Sequence, residues 1–298
     1  RDADPQALAV RAGKVLVGTR AWNAEGEAFL LDVSTGGLID RWTVGTAVTD
    51  VAIGADGTLV LAGEYRDAVF VDEVALSARS WHTVFVMRFD ADNVAQSAIS
   101  LGNGSVSDGP AAIALAEDGS VYLAADAGGL TGYYDGMTLP ESGWLLKLAP
   151  DDSLDWVVPF DVQDVWGLDL GTTLTVHAWA DYTTIAGVDL GRDTFVAGFE
   201  PDSGVARFAT VYDYTGGDQP GMAAGDPRVL ATPGLGSIDV GGRVRWRLPL
   251  TGIDGQSVAL GSDFAVVAGR YDGALTLTGG TELESVGRDG VAIIRVDL

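Results

Sequence analysis

The chain contains no cysteine, which excludes disulfide bonds, cysteine nucleophiles and thiolate metal sites. Histidine is almost as scarce, because His82 and His177 are the only two, so a multi-histidine metal site cannot be built. No run of about 18 apolar residues occurs, and we predict no membrane span. Apolar residues do not recur every 3.6 positions over a helical length, which argues against a helical core.

Basic residues are few, with 18 Lys and Arg against 42 Asp and Glu and a net charge of −24. Nucleic acid is therefore not expected as a partner, because its phosphates would be repelled. Many aspartates stand beside glycine, where the short carboxylate can bond the backbone of a turn. Cations, basic proteins and neutral saccharides remain as ligand classes. With 47% hydrophobic residues, the 298-residue chain can bury a large core.

Two kinds of hairpin alternate along the chain, each made of two period-2 apolar segments around a polar, Gly- or Asp-containing turn. We call the first kind A–B and the second kind C–D. The A–B hairpins are residues 7–19, 50–63, 112–125, 167–179, 222–233 and 257–269. The C–D hairpins are residues 30–42, 86–99, 145–158, 196–209 and 237–248, and residues 291–298 form the first half of a sixth.

A four-stranded unit repeated with a period of roughly 50 residues predicts an all-β fold, a β-propeller of about six blades. We predict one domain over residues 1–298, with blades at approximately 7–45, 48–101, 108–160, 163–212, 221–250 and 254–298. The last blade lacks its outer strand. Residues 1–6 are polar, contain Pro5 and are predicted to make a poor strand. A three-stranded last blade, a trimmed chain and a strand donated by a partner are the alternatives.

Two stretches resemble known propeller repeats. "FLLDVSTGGLIDRW" (29–42) resembles the tryptophan-docking repeat of quinoprotein-like propellers. Residues 257–298 resemble the bacterial β-propeller repeat found in secreted and surface proteins and lipoproteins, and residues 50–101, 110–160 and 166–212 follow the same plan. The resemblance implies a propeller fold and an extracytoplasmic, bacterial location. Its motifs specify strands and turns rather than chemistry.

One face of such a propeller carries the B–C and D–A connections, and here the B–C connections are long in blades 2, 3, 4 and 6. They are rich in aromatic and acidic residues, a combination that binds saccharides and cations. The predicted ligand-binding residues are Tyr65, Trp81, His82, Tyr133, Tyr134, Asp135, Trp179, Asp181, Tyr182, Tyr212, Tyr214, Tyr271 and Asp272. Tyr65 and Tyr271 equally fit wedges between blades.

Calcium is the one cofactor that the acidic turns suggest, although neither "DADN" (90–93) nor "APDDS" (149–153) has EF-hand spacing. No nucleophile-elbow motif occurs, and no catalytic residue is predicted. We therefore expect a non-catalytic, extracytoplasmic binding, assembly or scaffold module that uses its long-loop face, with a protein partner or self-assembly. The alternative is a saccharide-acting hydrolase or lyase that uses carboxylates and aromatic rings on the same face.

Overall fold

The computed structural model describes 19 stretches of the chain, and their regular structure consists of β-strands alone. These stretches are residues 3–21, 25–45, 47–66, 69–76, 83–101, 112–125, 133–134, 137–138, 143–180, 182–211, 221–223, 228–231, 234–239, 242–249, 254–260, 264–271, 274–276, 282–284 and 290–297. Within them no helix is long and apolar enough to cross a membrane.

Antiparallel units follow one another along the chain with their strands in the predicted order, and we number these blades 1 to 6. Blades 1 to 5 each contain four described strands, A, B, C and D. Blade 1 contains β1 (Ala3–Arg11), β2 (Lys14–Ala21), β3 (Glu27–Asp32) and β4 (Leu38–Thr43). Blade 2 contains β5 (Ala47–Ile53), β6 (Leu59–Tyr65), β9 (Thr83–Phe89) and β10 (Ala95–Leu101). A single residue pair, Arg20 with Ala47, connects these two blades into one hydrogen-bonded sheet.

The next three blades repeat this order as separate sheets. Blade 3 contains β11 (Ala112–Leu115), β12 (Val121–Ala125), β15 (Trp144–Leu148) and β16 (Leu154–Pro159). Blade 4 contains β17 (Val162–Leu170), β18 (Leu174–Ala180), β21 (Thr194–Phe199) and β22 (Ala206–Val211). Blade 5 contains β23 (Gly221–Ala223), β24 (Arg228–Ala231), β25 (Gly234–Ile238) and β26 (Val244–Pro249).

Blade 6 has three described strands, β27 (Asp254–Leu260), β28 (Phe264–Tyr271) and β31 (Gly290–Asp297), in the order A, B, C. Among the described strands, blade 6 has no outer strand D, in agreement with the prediction. The chain divides into two compact units, residues 1–168 and 169–298, and the division falls within β17. The prediction of one domain over the whole chain stays a prediction.

The core of the first unit lies between successive blades. One cluster joins Leu16 and Leu30 of blade 1 to Leu61 and Phe89 of blade 2. Trp42, on the outer strand of blade 1, is buried in this cluster with its ring centroid 4.7 Å from that of Phe89. A second cluster joins blade 2 to blade 3 in the same way. Blade 2 is thus apolar on both faces, because each of its faces packs on a neighbouring blade.

The turns use the chemistry that the sequence indicates. In the A–B turn of blade 2, Asp56 Oδ1 accepts from the backbone N–H and hydroxyl of Thr58, and Gly57 has φ +90°. In the C–D turn of blade 1, Asp32 Oδ1 accepts from Ser34 and Thr35. These bonds lower the pKa of Asp32, the Ser34 hydroxyl having the largest effect. Much of the aspartate excess therefore serves hairpin turns.

The prediction that residues 1–6 make a poor strand is wrong for residues 3–6, which belong to β1. Ala3, Asp4 and Pro5 pair with β2, and the register shifts between Pro5 and Ala7. Proline is tolerated because β1 pairs with β2 alone among the described strands, so the missing N–H is not needed for a second partner.

Candidate functional site

Four of the B–C connections contain a short two-stranded hairpin, and these are the connections of blades 2, 3, 4 and 6 that the sequence shows to be long. The hairpins are β7 (Val69–Val71) with β8 (Val74–Leu76), β13 (Tyr133–Tyr134) with β14 (Met137–Thr138), β19 (Thr184–Ile185) with β20 (Val188–Asp189), and β29 (Ala274–Thr276) with β30 (Glu282–Glu284).

The blade 2 hairpin folds back along the outer strand of its own blade. Val69, Val71 and Leu76 are buried in the cluster between blades 1 and 2. At its turn, Asp72 Oδ2 accepts a 2.9 Å hydrogen bond from the backbone N–H of Ala95, the first residue of β10. This B–C insertion therefore covers the outer rim of the blade and reaches its C–D end.

Phe70 is the exception on this hairpin, because 72% of it is exposed while both of its strand neighbours are buried. The alternation of side chains along β7 turns Phe70 to solvent when Val69 and Val71 face the core. We did not predict this residue from the sequence. The signal was present in "VFV" followed by the polar pair "DE", a short alternating segment with a turn.

Tyr134, on the blade 3 hairpin, occupies a structural position. It is partly buried and packs against the apolar cluster between blades 2 and 3, as do Ile99 and Val157. Its hydroxyl donates to the backbone carbonyl of Asp152, in the C–D turn of blade 3. Tyr65 is likewise buried between blades 1 and 2, and its hydroxyl is hydrogen-bonded to Ser100 Oγ.

The blade 4 insertion places one candidate residue at the surface. Tyr182 is 70% exposed and has φ +61°. Its backbone N–H donates a 2.6 Å hydrogen bond to the backbone carbonyl of Gly191. The Arg192 guanidinium lies 5.0 Å from the centroid of the Tyr182 ring. Trp179, at the end of the same B strand, is half-buried. The insertion thus presents an aromatic ring and a cation together at the surface.

Two buried ionisable groups have strongly shifted pKa values. Burial raises the pKa of Asp50 on β5 to about 7, against the opposing effect of N–H donors from Ile113 and Val51. The Ile113 bond is 2.7 Å long and connects the inner strands of blades 2 and 3. His177 on β18 is 0% exposed, and burial lowers its pKa to about 3. It is therefore neutral at physiological pH, as suits a packed strand residue.

The carboxylates of the two calcium candidate loops are engaged by protein donors. Asp90 accepts from the backbone N–H groups of Asp92 and Val94. In the other loop, Asp151 accepts from Ser153. Asp152 accepts from the Arg88 guanidinium of blade 2. Among the described residues, no group of three or more His, Asp or Glu side chains is arranged to hold a metal ion.

No protein-family model matches the chain, and no curated protein matches its sequence at a significant level. Solved structures do match. Hydrazine synthase from Kuenenia stuttgartiensis is 13% identical with a TM-score of 0.63, and the match covers 98% of this chain and 83% of that one. The Cps50 (Swd1) β-propeller domain from Myceliophteria thermophila is 12% identical, with a TM-score of 0.55 and coverage of 89% and 79%. The chain folds as a β-propeller.

A third similar structure is the Pan2 WD40 domain from Neurospora crassa, 12% identical, with a TM-score of 0.56 and coverage of 91% of the propeller chain and 75% of that domain. At these identities the likeness concerns the fold. The assignment of the propeller's repeats to the bacterial repeat family stays a prediction.

The remaining candidate residues of the propeller are placed only in part. Tyr133 and Tyr271 lie in strands β13 and β28. Outside the described residues are Trp81, His82, Asp135, Asp181, Tyr212, Tyr214 and Asp272. Of the candidates whose side chains are described, Tyr182 is the exposed one, whereas Tyr65 is buried and Tyr134 and Trp179 are partly buried.

Proposed function

We propose that this β-propeller is a non-catalytic, extracytoplasmic binding module that engages a protein partner through its B–C insertions. The exposure of Phe70 carries the proposal. Large aromatic side chains are enriched among the residues that dominate binding energy at protein interfaces. The extracytoplasmic location rests on the resemblance of the repeats to the bacterial family.

The hairpin that bears Phe70 is held on the blade before any partner arrives. Its other apolar side chains are buried, and Asp72 fixes its turn to β10. Such a ring loses little conformational freedom on binding, because only its side-chain torsions remain to be ordered. The exposed ring adds no buried apolar area to the free protein. An anchored hairpin with one projecting ring is therefore better explained by recognition of a partner than by stability.

Tyr182 supplies a second anchor of the same kind in blade 4. Its ring is stacked by the Arg192 guanidinium, which holds the ring at the surface. A partner with apolar or aromatic side chains would match it. Phe70 and Tyr182 are tested separately.

The test uses the intact chain as bait for proteins from the extracytoplasmic fraction of its source. We compare wild type with Phe70→Ser and Tyr182→Ser, and use Val33→Ser and Val205→Ser as controls. Both valines are exposed apolar residues in C–D turns. We expect one polypeptide to be retained by wild type and by both controls, and retention to fall at least tenfold for Phe70→Ser.

Equal retention by Phe70→Ser and by the valine variants would contradict the proposal, as would no retention by wild type. The alternative of a saccharide-acting enzyme makes a different prediction. Incubation of wild type with a panel of oligosaccharides and polysaccharides would then give shortened or unsaturated products. Product formation would replace the binding-module proposal.

A further inference from the structure

The exposed side of the blade 2 hairpin contains more than Phe70. In the antiparallel register of β7 and β8, Phe70 pairs directly with Ala75, and both residues are exposed. Residues opposite each other on paired strands extend to the same side, and the small Ala75 side chain does not cover the ring. The adjacent pair, Val69 with Leu76, is buried and holds the other side of the hairpin against the blade.

A second exposed apolar side chain belongs to the same surface. Asp72, in the hairpin turn, accepts the hydrogen bond from the backbone N–H of Ala95. Val94 directly precedes Ala95 in the C–D turn of blade 2 and is 46% exposed. The bond therefore joins the hairpin turn and the C–D turn into one surface that includes both Phe70 and Val94.

This surface also carries free negative charge. Glu73 in the hairpin turn and Asp92 in the C–D turn are exposed, and neither forms a salt bridge with a described residue. Lys14 reaches the same C–D turn, where its Nζ donates to Asn93 Oδ1 at 3.4 Å rather than pairing with either acid. We call Phe70, Glu73, Ala75, Asp92 and Val94 the blade 2 patch.

The charge of the patch restricts the class of ligand. The phosphates of nucleic acids and of anionic lipids would be repelled by its carboxylates and by a chain of net charge −24. Lysine and arginine side chains of a polypeptide are attracted instead. Their aliphatic stems pack on apolar surface, and a guanidinium is also attracted to an aromatic face, so the same side chains suit Phe70.

We propose that the blade 2 patch binds a polypeptide segment in which an apolar side chain is flanked by lysine or arginine. The apolar side chain packs on Phe70 and Val94, and the basic side chains pair with Glu73 and Asp92. This inference rests on the proposed function, because it names the chemistry of the partner that Phe70 engages. The apolar contact supplies affinity, and the charges supply orientation and a faster association.

The experiment selects ligands without assuming their sequence. A phage-displayed library of random peptides is passed over immobilised Phe70→Ser protein and then selected on the immobilised wild-type chain. The first step removes peptides that adhere to the acidic surface in general, since both proteins have the same charge. We expect the selected peptides to be enriched in Lys and Arg on both sides of an aliphatic or aromatic residue, compared with the starting library.

A charge reversal then tests the acids of the patch. The affinity of a selected peptide is measured by fluorescence anisotropy for wild type, Glu73→Lys and Glu117→Lys. Glu117 is an exposed acid in the A–B turn of blade 3, so its variant has the same net charge as Glu73→Lys. We expect Glu73→Lys to lose about fivefold in affinity, since an attraction becomes a repulsion, and Glu117→Lys to lose less than about twofold.

The outcomes separate this inference from the proposed function. Phe70-dependent peptides without enriched basic residues, or equal losses for Glu73→Lys and Glu117→Lys, would overturn the inference and leave the proposed function standing. Failure to obtain any Phe70-dependent peptide would overturn it as well. The capture of partner proteins by wild type and Phe70→Ser decides the proposed function independently.

Discussion

Arg88 of blade 2 and Asp152 of blade 3 form an ion pair with 2.5 Å between Nε and Oδ1, and both side chains are nearly nine-tenths buried. The same guanidinium donates to the backbone carbonyls of Gly119 at 2.7 Å and Ala149 at 3.1 Å. It therefore connects strand C of one blade to both hairpin turns of the next. Asp152 also accepts from Ser97, which gives its carboxylate a second donor from blade 2.

Arg88→Ala should lower the free energy of unfolding by about 3–5 kcal/mol, because it leaves the buried Asp152 carboxylate without its cation. Arg88→Lys should recover part of this loss but not all, since an ammonium cannot reach three acceptors with the geometry of a guanidinium. Urea unfolding measures both. Arg207→Ala is the control, because the Arg207–Glu200 pair is nearly half exposed and should contribute less than about 1 kcal/mol. Equal losses for Arg88→Ala and Arg207→Ala would refute the assignment.

Asp50 should make the protein less stable as the pH rises. Its folded-state pKa of about 7 lies above the unfolded value of 3.8, so its contribution is most favourable below pH 4 and is lost as the pH rises through 7. In Asp50→Asn the side-chain oxygen can still accept from Ile113, and the melting temperature should be higher than that of wild type at pH 8. Asp56→Asn is the control, since the pKa of Asp56 is lowered by Thr58 and its pH dependence has the opposite sign. A melting temperature that is unchanged at pH 8 would contradict the prediction for Asp50.

His177 should make the protein less stable as the pH falls, which is the opposite of the effect expected for Asp50. Its folded-state pKa of about 3 lies below the unfolded value of 6.5, so stability is complete above pH 6.5 and declines as the pH falls. The slope approaches about 1.4 kcal/mol per pH unit between these values. His177→Gln should remove this slope, whatever its effect on absolute stability. Unfolding free energies measured from pH 7 to pH 4.5 test it, and an unaltered slope in the variant would rule out His177 as the source.

Gly198 and Phe208 should show strong coupling. A Cβ at Gly198 would lie 2.2 Å from Cε1 of Phe208, so the alanine variant requires a shift of a buried ring. We expect Gly198→Ala to cost about 1–3 kcal/mol alone, and much less in a Phe208→Ala background, where the ring is gone. Urea unfolding of the four members of the double-mutant cycle gives the coupling energy. Additive effects would show that the ring does not limit this position.

The strand order of the blades could be predicted because the signals are local. Alternation over five to eight residues and a turn with Gly or Asp are sufficient to define each hairpin. The prediction for residues 3–6 was wrong because it counted Pro5 against a strand. The free-energy cost of proline in a strand depends on whether a neighbouring strand needs the missing N–H, and the outer side of an edge strand has no such neighbour.

The roles of individual side chains depended on contacts between blades, which the sequence does not display. Tyr134 looked like a binding residue because it stands in an aromatic and acidic loop, yet its hydroxyl donates to Asp152. Asp50 looked like any other acid of a very acidic chain, and its shifted pKa arises from packing near blade 3. Phe70 stands in a strand of three residues, too short for alternation to be persuasive.

The Arg88–Asp152 pair also has a consequence for the nascent chain. The two residues are 64 positions apart, so at about 5–20 residues per second Arg88 leaves the ribosome roughly 3–13 s before Asp152 does. Until then the guanidinium has to stay hydrated, and the face of blade 2 that carries it has to stay open. Translation thus imposes a waiting time on blade 2, and a chaperone that shields growing polypeptides would find that face uncovered during this interval.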